Sequence, residues 1–427
     1  MLAISIIIAL IIFFVSFSKP LYGIILLLFN FLLQPHVIFG FLGYPQSATQ
    51  LCNLLIGTLL FVSLPSRKLK NPESGISRQA ILLAISVALS SLFNDGTAFF
   101  TDKYKWPEYI SFLNRVGFIF LFSRYVCTRD DFSRVLKTIV VLGSATAVYT
   151  VVDYFFRLSS AAYVKGGRAV GVQGDPNLLA ANLVAMLPLA YYLFVHGSTK
   201  WLKRLHIFSI TSLVLAVFFT VSRGGLLALL FVGGSLTKKN IKRFSTIIVM
   251  GLMLILFSLY AKDLFLKRTT IETTLSGRTS LESSAANRIQ IIREGLNLWL
   301  HNPIFGVGLT NTKERVKEQL HQRGIAGGSI IMIHNAYMLV LAEFGSIGFL
   351  LYMGFFLLAF KALARLSRHQ DAYFNEIAGY LRIALLSHMI TSCFLGNWYE
   401  LMLWITLALP VVLEQISKNE QNAASQG

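Results

Sequence analysis

His334 and Asn335 stand at the start of an apolar run that continues to Phe360, with Glu343, Gly345 and Gly348 inside it. A histidine can lose and regain a proton near neutral pH, so His334 is the first candidate for a general base. Arg223 sits in the sequence TVSRGG between two apolar runs, and Arg288 and Arg293 lie on a segment just ahead of the histidine. Guanidinium groups match phosphate oxygens two at a time, so these arginines point to an anionic ligand. Arg288, beside Asn287, is the favoured one, with Arg278 preceding it; any single arginine here reads more readily as a solvated charge than as a ligand contact. Upstream, GGRAVGVQGDPNLLAAN (166–182) brings Arg168 next to Lys165, and its Asp175-Pro176-Asn177 reads as a helix start.

On a helix, at about 100° per residue, Tyr337, Gly345 and Gly348 share the face of His334, and Glu343 takes the opposite one. Small residues on a membrane helix let a neighbouring backbone or a lipid chain approach closely. This face therefore reads as a groove with a base at its mouth, or as two glycines that merely pack helices beside an interfacial histidine. A carboxylate as deep as Glu343 must be paired, neutral or facing water. Asn397 and Glu400, in the last turn between apolar runs, are candidates to assist.

The elements that hold these residues follow from composition. The 427 residues are 55% hydrophobic and 14% charged, with 34 phenylalanines, and the mean hydropathy is +0.63. A soluble domain could not cover so much apolar surface. Apolar runs recur near 2–17, 21–34, 49–64, 79–94, 109–126, 136–155, 178–196, 205–221, 225–236, 244–261, 334–360, 379–395 and 399–414. Each approaches the length that crosses about 30 Å of hydrocarbon, and the first two could be half-helices. The expected fold is an all-α polytopic membrane protein with 12 or 13 transmembrane helices. A barrel would need alternating strands, and none is apparent. The domains read as an N-terminal bundle (1–261), a long outer loop (262–333), C-terminal helices (334–414) and a tail (415–427).

Basic loops at 66–70, 128–137, 200–204, 238–243 and 361–368 belong on the cytoplasmic side with the tail. The net charge of +18 is then an orientation signal rather than a nucleic-acid footprint. The residues singled out above fall on the outer side. Only 33 residues, 205–237, leave and return around Arg223, against roughly 40 for two full crossings, so Arg223 is expected below the outer surface. In the long loop, Ala285–Leu300 carries apolar residues at 289, 292, 296, 299 and 300, the spacing of a helix lying on the membrane with Trp299 at the interface. HNPIFGVG (301–308) ends it. There is no phosphate-binding glycine loop, no outer Asp-x-Asp pair and no His/Cys cluster, so no metal or nucleotide site is expected. Cys52, Cys127 and Cys393 are too scattered for a disulfide framework. Leu2–Phe17 lacks a basic start and a cleavage site and reads as a retained span.

His334-Asn335, nine residues, Gly345, two residues and Gly348 resemble the signature of the O-antigen ligases, and Arg288…Trp299…NPIFGVG is similar to the region upstream of that histidine. Ser222-Arg223-Gly224 and Arg168…Pro176-Asn177 fall where the family has comparable elements. The likeness covers about 160–360; the first 150 residues match only in being hydrophobic. It implies a lipid-sugar (GT-C-like) glycosyltransferase at the periplasmic face of the bacterial inner membrane. The donor would be a glycan on undecaprenyl pyrophosphate and the acceptor a sugar hydroxyl of lipid A–core, in lipopolysaccharide biosynthesis, with inversion and without a metal or other cofactor. His334 would be the base. Arg223 and Arg288 would bind pyrophosphate, with Arg168, Arg293, Asn335, Tyr337, Gly345 and Gly348 in support, and the groove would take part of the polyprenyl chain. Related activities are an O-antigen polymerase and a protein-glycosylating transferase; a transporter of lipid-linked sugars would instead place ionisable pairs at the midplane of two matching halves.

Overall fold

A computed structural model of the chain describes residues 19–38, 46–62, 75–156, 164–165, 167–239, 280–322 and 332–426. The expected spans 2–17 and 244–261 lie outside them. Each of the other eleven apolar runs corresponds to a helix. The helices are α1 (Pro20–Leu33), α2 (Pro35–Ile38), α3 (Gln46–Val62), α4 (Gly75–Asp95), α5 (Ala98–Thr101), α6 (Lys105–Tyr125) and α7 (Arg129–Phe156). There follow α8 (Pro176–Val195), α9 (Lys200–Phe219), α10 (Arg223–Lys239), α11 (Ser280–His301), α12 (Thr312–Gln322), α13 (Ala336–Leu366), α14 (Ala372–Ser392) and α15 (Leu401–Gln426). A two-residue hairpin pairs β1 (Val164–Lys165) with β2 (Arg168–Ala169).

Six helices (α4, α7, α8, α9, α13 and α15) are long and apolar enough to cross a membrane, and α1, α3 and α10 are shorter apolar helices. The protein is a multi-pass membrane protein. The apolar stretches of α8 and α15 are the most deeply buried of the six, so they form the centre. α8 packs on α7, α9, α10 and α14, while α13 packs on α4, α11, α14 and α15.

Boundaries follow local chemistry. The Asp175 carboxylate accepts from the N–H groups of Asn177 and Leu178, and Pro176 opens α8, as the sequence expects. Thr199 caps α9 in the same manner. α9 begins at Lys200, five residues before the expected span, and is 20 residues long. That is about 30 Å, a complete crossing. The turn holding Arg223 is therefore not forced below the surface.

Two ends of the bundle are distinct. At one, Arg129 pairs with Glu420 and Asp371, Arg365 with Glu414 and His196 with Glu376. The basic loops at 128–137, 200–204 and 361–368 and the tail thus share one end, as the charge pattern requires. At the opposite end lie the 164–177 segment, the 220–223 turn, the 302–311 loop, residues 332–335 and the 393–400 turn. This is where the candidate residues gather.

Candidate active site

The central piece is an interrupted helix. At Gly345 the backbone of α13 leaves the helical region, with φ 63° and ψ −164°. Such a conformation is open essentially to glycine alone. The break exposes backbone groups, and the 302–311 loop satisfies them. The Val307 N–H donates to Ala342 O at 3.0 Å, Gly308 N–H to Glu343 O at 2.8 Å and Ser346 N–H to Pro303 O at 2.8 Å. The two main chains lie so close that a Cβ on Gly306 would sit 2.4 Å from the Glu343 carbonyl, and one on Gly345 2.3 Å from the Ile304 oxygen. α4 closes the joint: the Ser90 hydroxyl is shared by the Phe305 and Glu343 carbonyls, and Asn94 donates to Gly306 O. The Trp299 indole N–H reaches Ser346 Oγ at 3.1 Å.

This overturns the groove. The space beside Gly345 is filled by loop backbone, and a Cβ on Gly348 would meet the Phe344 Cβ and the Ser86 hydroxyl. Among the described residues, these neighbours leave no open groove at the two glycines. His334 is not on the helix either. Asn335 is the N-cap, its side-chain oxygen accepting from the Met338 N–H at 2.9 Å, so the histidine precedes α13 and a helical wheel does not fix its direction. The carboxylate of Glu343 is buried and accepts from the Thr312 hydroxyl at 2.9 Å. It ties α12 to α13. The Tyr337 hydroxyl donates to Met389 O, a link between α13 and α14.

The 393–400 turn brings His334 and Arg223 to a common border. Asn335 donates to Cys393 O at 3.2 Å, and a Cβ on Gly396 would meet Ile333 O at 3.0 Å. On its other side, Gly224 lies against the Phe394 ring. Arg223 is exposed at the first position of α10, where Ser222 Oγ accepts from the Gly225 N–H at 3.2 Å. A helix start that carries an exposed arginine is suited to an anion. Arg168 braces this turn from below: its Nε donates to Thr220 O at 2.8 Å and an Nη to Asn177 at 2.7 Å. That engagement ties the 220–223 turn to the first turn of α8.

α11 presents two faces. Glu294, Gly295 and Leu298 are buried, and a Cβ on Gly295 would meet Ile333 and Met338. Ile289, Leu296 and Leu300 are exposed, which suits a helix whose outer face touches lipid. Trp299, half-buried, is bonded into α13 through its indole N–H. Arg293 is exposed. Arg288 is two turns before Gly295, and its side chain lies outside the described residues, as do Arg278 and the side chain of Lys165. Among the described residues, no group of three or more His, Cys, Asp or Glu side chains is placed to hold a metal ion. Sequence reasoning missed Ser90, Asn94 and Thr312, which carry no motif and matter only through the backbone they meet.

With this geometry in view, the comparison with known families is specific. Residues 207–353 match the O-Antigen ligase family. The matched segment contains Arg223, α11, the 302–311 loop, His334 and the Gly345 break, so the resemblance drawn from the signature holds. No curated protein matches the chain. The O-antigen ligase segment ends within α13, and the 393–400 turn that borders both Arg223 and His334 lies beyond it.

Proposed function

We propose that the protein transfers a glycan from undecaprenyl pyrophosphate to a sugar hydroxyl of lipid A–core, at the periplasmic face of the inner membrane. The observation that carries this reading is the family match across both His334 and Arg223, combined with the single turn that touches the chain around each. His334 takes the proton from the acceptor hydroxyl as its oxygen attacks the anomeric carbon. The bond from that carbon to the pyrophosphate oxygen breaks on the opposite face, so the configuration inverts. The departing pyrophosphate takes the electron pair. Arg223 and the N-terminus of α10 neutralise it, and Arg288 is assigned as the second pyrophosphate ligand. The energy resides in the donor bond, so no nucleotide is consumed and no metal is required in this scheme.

The test is expression in a cell lacking its own ligase, with wild type, His334→Ala and Arg223→Ala at equal membrane levels. A lipopolysaccharide ladder from wild type that both substitutions abolish is the expected result. Accumulated carrier-linked glycan with no ladder would refute lipid A–core as acceptor. Longer chains on the carrier would then identify a polymerase, and glycan on protein a protein-glycosylating transferase.

A further inference from the structure

The far end of the 393–400 turn borders a polar cluster that the scheme above does not use. Glu400 accepts from the Asn182 amide of α8 at 3.3 Å. Tyr399 donates its hydroxyl to the Glu108 carboxylate of α6. The Arg115 guanidinium lies over the Tyr399 and Phe31 rings, 5.6 Å and 5.9 Å from their centroids. Glu108, Arg115, Tyr399 and Glu400 are all partly exposed, so the cluster is reachable. Asn397, in the same turn, is 8% exposed, and neither its amide nitrogen nor its oxygen has a partner among the described residues. The Arg115 Nε is likewise buried without one. A buried amide with both functions unpaired is costly, and its retention needs a reason.

We propose that this cluster is a binding subsite for a neutral sugar of one of the glycan substrates. Two carboxylates against one guanidinium give no excess of positive charge, so the site disfavours phosphate, unlike the Arg223 end of the turn. Carboxylates that only accept, an arginine that only donates and an amide that does both match vicinal hydroxyls, each of which donates and accepts. Chain length sets the distance: Gly396 beside Ile333 and Glu400 are four residues apart, at most about 14 Å. That is within reach of a short oligosaccharide whose end lies at His334. The assignment rests on the glycan-transfer reading for its substrates.

The experiment uses full-length protein in lipid nanodiscs, with rough lipopolysaccharide and undecaprenyl-pyrophosphate-linked glycan as probes. Equilibrium binding of each, the KM for each and the melting temperature are measured for wild type, Asn397→Leu and Glu400→Gln. Asn397→Leu removes an unpaired amide at nearly constant shape. It is expected to raise the melting temperature while weakening one glycan at least tenfold in Kd and KM, with kcat within threefold. Weakening of the lipopolysaccharide assigns the subsite to the acceptor, and weakening of the carrier-linked glycan assigns it to the donor. A lowered melting temperature with both affinities unchanged, in Asn397→Leu and Glu400→Gln alike, would show a structural tether and overturn the proposal. So would a wild type that binds neither glycan. If wild type binds a glycan and the variants weaken it but no transfer occurs, the subsite stands and the transfer reading fails.

Discussion

Replacing Gly345 by alanine tests the joint between the broken helix and the 302–311 loop. The native φ of 63° with ψ −164° costs a residue with a side chain about 1–3 kcal/mol. The added Cβ would lie 2.3 Å from Ile304 O, so the loop must withdraw by roughly 1 Å to restore ordinary contact. Withdrawal lengthens the three main-chain bonds at Val307, Gly308 and Ser346, each contributing about 1 kcal/mol. Partial re-formation of helical bonds offsets some of this, leaving about 3–5 kcal/mol against the closed joint, or roughly a thousandfold in its population at the middle of that range. Hydrogen exchange by mass spectrometry on protein in nanodiscs reads the effect directly. The amides of 305–309 and 345–347 should lose protection by about that factor, and glycan transfer should fall with them because α11 and His334 lose their common support. Gly117→Ala is the control, since nothing lies within 4 Å of its added Cβ. A Gly345→Ala protein with native protection and full transfer would refute the reasoning.

Three further outcomes are expected. Thr312→Val removes a donor from the buried Glu343 carboxylate and should cost about 1–3 kcal/mol in thermal unfolding, whereas Glu343→Gln keeps an acceptor and should cost less. Arg168→Lys loses the two-pronged hold on Thr220 O and Asn177, and should weaken donor binding about tenfold; Asn177→Ala combined with it should add little, a coupling visible in a double-mutant cycle. At the other end, the Tyr373 N–H and then Arg129 hold the Asp371 carboxyl below the usual carboxylate range. Its contribution is therefore complete above the ordinary aspartate pKa and lost as pH falls through the depressed value, so the acid-side loss of melting temperature should be shallower in Asp371→Asn.

The helices were legible because each apolar run carries its own stop signals, and Asp175-Pro176 even named the first turn of α8. The extra five residues of α9 were hidden because Lys200, Lys203 and Arg204 read as loop, yet Thr199 caps a helix that begins with them. The family signature falls within the segment that matches the family, but the helical wheel laid its glycines along an open groove. A helical wheel assumes that φ and ψ continue, and one residue at positive φ resets the phase. What Gly345 accommodates is the main chain around Ile304, about forty residues earlier, and main-chain atoms leave no residue type to recognise. Asn335 was named only as a supporting residue, and its side chain also serves as the N-cap of α13. Asn397 and Glu400 were visible as polar residues in an apolar stretch; that Glu400 meets Asn182 and Tyr399 meets Glu108 depends on tertiary packing alone.

The joint at Gly345 also limits how substrates enter. α11, the 302–311 loop and the outer half of α13 are held together by main-chain bonds and by Trp299, so they travel as one rigid block that includes the approach to His334. The Arg223 turn belongs to a second block, fixed to α8 through Arg168 and Asn177. Between the blocks, α14 and the 393–400 turn that follows it touch both. Any rearrangement that admits a large lipid-linked molecule must open that seam or pass around it, which makes the turn the gatepost of the site as well as its bridge.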